Sequence, residues 1–138
     1  MKSLIQTLSQ QFMTHPWIFV VIKPGFIGCA KEIINIFKEH GWSLQRTRTK
    51  QLLLREAKLL YKAHQKEDFY DSLCKYMSSD LSTGLIFTKG GELNKNDFKE
   101  VDEIKDYIRK KYGESDMRNV IHSSDSLSNM ELEASIYF

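Results

Sequence analysis

The sequence predicts an α/β domain of the α+β kind, with helices packed on a four-stranded antiparallel sheet. Three observations carry that expectation. β-Branched and aromatic runs alternate with stretches whose apolar residues recur at helical spacing. Glycines or a Pro-Gly pair close most of these runs. The 138 residues are 41% hydrophobic and 28% charged, too apolar for a disordered chain and too polar for a membrane protein.

The elements follow in order. Trp17 to Lys23 (WIFVVIK) is a continuous apolar run ended by Pro24-Gly25, the pattern of a buried central strand that runs into a loop. Ala30 to His40 sets Ile33, Ile34 and Phe37 at helical spacing before the stop at Gly41. Trp42 to Gln51 alternates as a second strand should, with Arg46, Arg48 and Lys50 on one solvated face. Two short helices are expected next, Leu52 to Ala63 with Leu53, Ala57, Leu60 and Tyr61, and Phe69 to Met77 with Leu73 and Tyr76. Thr83 to Thr88 reads as a third strand closed by Gly90-Gly91. Asn96 to Tyr112 is a charged helix carrying Phe98, Val101, Ile104 and Ile108. Glu114 to Asn129 is polar and aperiodic, hence loop, and Ala134 to Phe138 (ASIYF) is the expected last strand. This succession suits the ferredoxin-like arrangement.

The length is that of a single domain, residues 1–138, able to bury its own core. No apolar run approaches the ~20 residues that cross a bilayer. Met1 to Gln11 lacks the features of a secretory signal, so a cytoplasmic address and no membrane partner are expected. Cys29 and Cys74 are too few for a disulfide framework and have no zinc-site spacing. A net charge of +2 argues against nucleic acid as the partner, and the aromatic strand motifs of an RNA-binding domain are missing. Neither a P-loop nor a dinucleotide-binding glycine pattern occurs. Ser124, His122 and Asp125 are too close in sequence to converge as a hydrolase triad.

Among four histidines, His122 has a distinctive setting. It follows Val120-Ile121 and precedes three serines and an aspartate, so it leaves a buried segment for a polar loop. Histidine titrates near ~6.5, so at neutral pH a free ring nitrogen can attack phosphorus without prior deprotonation. Such a nucleophile divides one transfer into two steps.

The run Arg118-Asn119-Val120-Ile121-His122-Ser123-Ser124-Asp125-Ser126 resembles the active-site signature of nucleoside diphosphate kinases, and Ile108 to Phe138 is similar to that family without gaps. The resemblance implies that His122 accepts the γ-phosphate of a nucleoside triphosphate and passes it to a nucleoside diphosphate in a ping-pong cycle. It implies that Lys23, at the end of Val20-Val21-Ile22-Lys23-Pro24, contacts the transferring phosphate, that Glu133 orients the imidazole and that Ser124 stands beside that pair. In LYKAHQKEDFY it places Tyr61 at the phosphates and stacks Phe69 on the base. Arg109 corresponds to a phosphate-binding arginine, whose fork suits phosphate oxygens, and Asn119 to a ribose contact. The implied cofactor is Mg²⁺, bound with the nucleotide and without a protein metal site.

The chain departs from the family pattern at several points. Ser123 stands where the family has glycine, Asp80-Leu81 where it has Gly-Pro, and the loop after Pro24 is short. Between the Phe98 to Ile108 helix and Arg109, the family's long excursion is absent, together with its phosphate-contacting threonine and a second arginine. Lys99 or Lys105 could replace that arginine, but spacing selects neither. The lost excursion builds trimer contacts in the family, so a homo-oligomer, a homodimer rather than a hexamer, is expected through the first strand and first helix. The alternative reading is a catalytically weak relative acting as a nucleotide-binding or protein-interaction module.

Overall fold

A computed structural model describes residues 17–91, 95–124 and 127–138. Strand β1 spans Trp17–Ile22, helix α1 Ala30–Glu39, and β2 Ser43–Lys50. Helix α2 covers Leu54–Leu60, α3 Tyr70–Met77, and β3 Ser82–Thr88. The long helix α4, Lys95–Tyr112, leads to the short strand β4, Ile121–Ser123, and then to α5, Leu127–Tyr137. The strands lie in the order β2-β3-β1-β4 and every neighbouring pair is antiparallel. This is the four-stranded ferredoxin-like sheet that the sequence predicts.

All six residues of β1 are buried, because the strand pairs with β3 along its length and with β4 at Val20 to Ile22, and is covered on both faces. Register assigns the faces. Ile18 lies opposite Phe87 and Val20 opposite Leu85, and Phe37 of α1 stacks on Phe87 with ring centroids 4.6 Å apart. Phe19 and Val21 point the other way, beside Ile86 and Gly84. There α5 packs so closely that a Cβ on Gly84 would stand 2.8 Å from Cγ of Tyr137. Val101, Ile104 and Ile108 of α4 are buried at the spacing expected of one apolar stripe.

The C-terminal segment departs from expectation. Ala134 to Tyr137 is helical rather than a strand, and the fourth strand lies inside the stretch expected to be loop. Met130, Ala134 and Tyr137 are all buried, a spacing of four and three that seats one helical face on the sheet, and this packing outweighs the strand preference of Ile136 and Tyr137. The edge of β1 is then taken by Ile121–Ser123, with His122 opposite Val21. Leu53 precedes α2 and is 51% exposed, while Leu52 is buried in its place. Both faces of β2 are largely exposed, including Arg46 and Arg48, and a bulge interrupts its pairing between Leu44 and Arg46. Among the described residues no helix is long and apolar enough to cross a membrane.

Candidate active site

The site forms where β1 and β4 end side by side. Pairing of Val21 with His122 points the imidazole to the face covered by α2 and α5, and the Lys23 amide bonds the Val120 carbonyl at 2.8 Å. Between Asn119 and Ile121 the chain makes a tight turn, closed by the Ile121 amide on the Asn119 carbonyl at 3.0 Å. Val120 at its centre has φ of 81°, a left-handed conformation costly for a β-branched residue. Full burial of Val120 and the bond from Lys23 hold it there.

Helix α5 brings Glu133 to the imidazole. Its Oε1 lies 3.0 Å from His122 Nε2, with side-chain exposures of 9% and 16%. Its other oxygen accepts the Ser124 hydroxyl. A carboxylate accepts and does not donate, so a neutral imidazole holds its proton on Nε2 and keeps the lone pair on Nδ1. Tyr61 stands edge-on to the same ring at 5.1 Å between centroids.

The histidine opens onto a pocket of about 540 Å³, lined also by Lys23, Tyr61, Phe69, Arg109 and Asn119. Lys23 is only 3% exposed; its ammonium donates to Asn119 Oδ1 at 2.7 Å and to the Met117 carbonyl at 3.3 Å. Burial first, then the positive charges of Arg109 and Lys105, pull its pKa down to about 7. Arg109 reaches from α4 and donates through Nη2 to the Ile121 carbonyl at 2.9 Å, which ties the guanidinium to the strand carrying His122. Tyr61 is buried, its hydroxyl has no hydrogen-bond partner among the described residues, and burial holds the phenol protonated well above its usual range.

The sequence-predicted residues therefore converge: His122, Glu133, Ser124 and Lys23 at the centre, with Tyr61, Arg109 and Asn119 around them. Phe69 stands at the mouth, 46% exposed, with its ring 5.7 Å from that of His64. Asn119 is already engaged at both ends, since its Nδ2 donates to the Asp116 carbonyl at 2.9 Å. Asp125 and Ser126 of the motif lie outside the described residues. Lys105, which spacing could not separate from Lys99, also lines the pocket, as do His64, Asp116 and Met117, to which the sequence assigned no role. His64 had a signal, three residues after Tyr61 on one helical turn, and Lys105 had one four residues before Arg109. Ser123 sits buried at the end of β4, so the strand accepts a small side chain there.

The fold and the pocket define a class: a ferredoxin-like domain with a carboxylate-supported histidine facing a cluster of cations, suited to phosphate-bearing ligands. Comparison with known proteins narrows it. The family model "Nucleoside diphosphate kinase" matches residues 18–138. A nucleoside diphosphate kinase of Flavobacterium psychrophilum is 30% identical over 129 residues, 87% of this chain and 91% of that protein. One from Chlamydia trachomatis is 31% identical over 127 residues, 86% and 89% of the two chains. The solved nucleoside diphosphate kinase of Encephalitozoon cuniculi has the same fold, with a TM-score of 0.76, 22% identity and 88% of each chain covered. The chain belongs to the nucleoside diphosphate kinase family.

Proposed function

We propose that the chain transfers the γ-phosphoryl group of a nucleoside triphosphate to a nucleoside diphosphate through phospho-His122. The observation that carries this is the union of Glu133 on Nε2, with no partner on Nδ1 among the described residues, and a pocket that His122 lines together with Lys23 and Arg109. In the first half-reaction the Nδ1 lone pair forms the N–P bond, and the bond from phosphorus to the β,γ-bridging oxygen breaks. Its electron pair leaves with the nucleoside diphosphate. The proton stays on Nε2, and the charge gained by the ring is met by Glu133. The second half-reaction reverses these events with a different diphosphate.

Each side chain has a task that its geometry supports. Lys23 and Arg109 neutralise charge on the phosphoryl oxygens. Tyr61 offers its unused hydroxyl to the phosphates, and Asn119 positions both Lys23 and the sugar. Phe69, exposed at the mouth, stacks on the base, a contact that any base satisfies. Among the described residues no three His, Cys, Asp or Glu side chains gather as a metal site, and Asp116 is the carboxylate in the pocket lining. That donor set fits Mg²⁺ held by the nucleotide's phosphates rather than by the protein, where it would neutralise charge.

The same reading takes residues 1–138 as one catalytic unit working in the cytoplasm as a homodimer rather than a hexamer. Strand β1 is poorly placed for the subunit contact that the family resemblance implies, because it is buried and paired with β3 along its length and with β4 at Val20 to Ile22. The outer face of α1 and the edge strand β2 are the candidates that fit.

Incubation with γ-labelled ATP tests the proposal. An acid-labile, base-stable phosphoprotein is expected, discharged by GDP and lost in His122→Ala. Wild-type protein that binds ATP and never takes up label would overturn it.

A further inference from the structure

The pocket holds one more cation than the transfer scheme uses. Lys105 lines it, and its side chain is 15% exposed, an unusual depth for lysine. It lies one helical turn before Arg109 on α4, and its charge is close enough to Lys23 to oppose protonation there. Its ion-pair partner is Asp102 at 3.4 Å, whose own side chain is 64% exposed. Three cationic side chains thus converge on one cavity whose lining includes a single carboxylate, Asp116, and the ion-pair partner of Lys105 among the described residues lies on the solvent side. Such repulsion costs stability unless an anion occupies the space between them.

We propose that Lys105 binds the non-transferred phosphates, the diphosphate portion that nucleoside triphosphates and diphosphates share. Arg109 is tethered beside His122 through the Ile121 carbonyl, so it meets the phosphoryl group that moves. A turn of helix rises ~5.4 Å, which carries Lys105 outward along the phosphate chain. Lysine acts there as a point charge, without the fixed fork of arginine. In a transfer reaction this charge sits on the leaving diphosphate in one half-reaction and on the acceptor in the other. Lys105 therefore contributes to the affinity of both nucleotides. Lys99, on the same helix, is exposed and absent from the pocket lining.

This assignment rests on the kinase reading for the identity of the ligand, and the two can be tested apart. ADP is titrated calorimetrically, at fixed ionic strength, into wild type, Lys105→Met, Lys105→Arg and the control Lys99→Met, with thermal melts to compare folding. The Met variant at 105 is expected to bind ADP about tenfold more weakly, the Arg variant within about threefold of wild type, and the Lys99 variant unchanged. In parallel, wild type is labelled with γ-labelled ATP. ADP affinity unchanged in Lys105→Met, while wild type labels His122, overturns the role of Lys105 and leaves the kinase reading standing. Weakened ADP binding without labelling of wild type supports Lys105 as a phosphate contact and sinks the kinase reading. Should Lys105→Met melt early, the Arg variant decides: wild-type stability with ADP affinity within about threefold of wild type supports a charge contact, and loss of binding despite the retained charge refutes it.

Discussion

Replacing Glu133 by glutamine keeps the shape of the His122 support and removes its charge. The amide oxygen can still accept from Nε2 and the amide nitrogen can donate to the Ser124 hydroxyl, so the ring should keep its place. What changes is the response to charge. As Nδ1 attacks phosphorus, the imidazole becomes cationic beside a carboxylate 3.0 Å from Nε2. Exposures of 9% and 16% set this pair apart from a surface ion pair. At an effective dielectric of ~20, opposite charges ~4 Å apart attract by ~4 kcal/mol. With about half of the ring charge developed at the transition state, the loss is about 2 kcal/mol, or roughly 30-fold in rate. The assay is rapid-quench single-turnover labelling of His122 by γ-labelled ATP, with ATP saturating so that binding does not enter. A Glu133→Gln rate within twofold of wild type, in a protein with unchanged melting, would refute the reasoning and show that the carboxylate only holds the ring in position.

Three further outcomes are expected. Lys23 has a folded pKa of about 7 against ~10.5 in an unfolded chain, so between those values the unfolded state binds the extra proton and unliganded stability rises with pH, by up to ~1.4 kcal/mol per unit. Urea midpoints from pH 7 to 9 should show this rise in wild type and a flatter course in Lys23→Met. Gly84→Ala forces a methyl against Tyr137, 2.8 Å from Cγ, and the ring is itself fully buried and bonded to Ser82 at 2.6 Å; a loss of about 2 kcal/mol in urea unfolding is expected, with reduced labelling because Tyr137 and Glu133 share α5. Phe69→Ala should leave stability within about 0.5 kcal/mol, since the ring is half exposed, and raise KM for adenine and guanine nucleotides alike by roughly tenfold.

The sheet and most helices were legible because their signals are local. WIFVVIK has no polar face and belongs in the middle of a sheet, and α4 shows its apolar stripe in Val101, Ile104 and Ile108. His122 was legible through its immediate neighbours, and Glu133 through its spacing from that motif. The ASIYF end was misread because its five residues carry strand preference, whereas the helical face that places Ala134 and Tyr137 on the sheet begins further back, at Met130. Lys105 could not be separated from Lys99, since both stand on a charged helix and only the position of the pocket tells them apart.

By itself, then, the order of residues determined the fold class, because periodicity is a property of the chain alone, while the side chains around His122 were implied by the family resemblance that its motif carries. The tertiary structure decided what depends on distance across it. It determined which nitrogen of His122 meets Glu133, how far Lys23 is withdrawn from water, that three cationic side chains share one cavity, and that β4 takes the edge of β1 at Val20 to Ile22. These follow from how segments pack in three dimensions, most of them tens of residues apart, and neither burial nor the field of neighbouring charges is written in local sequence.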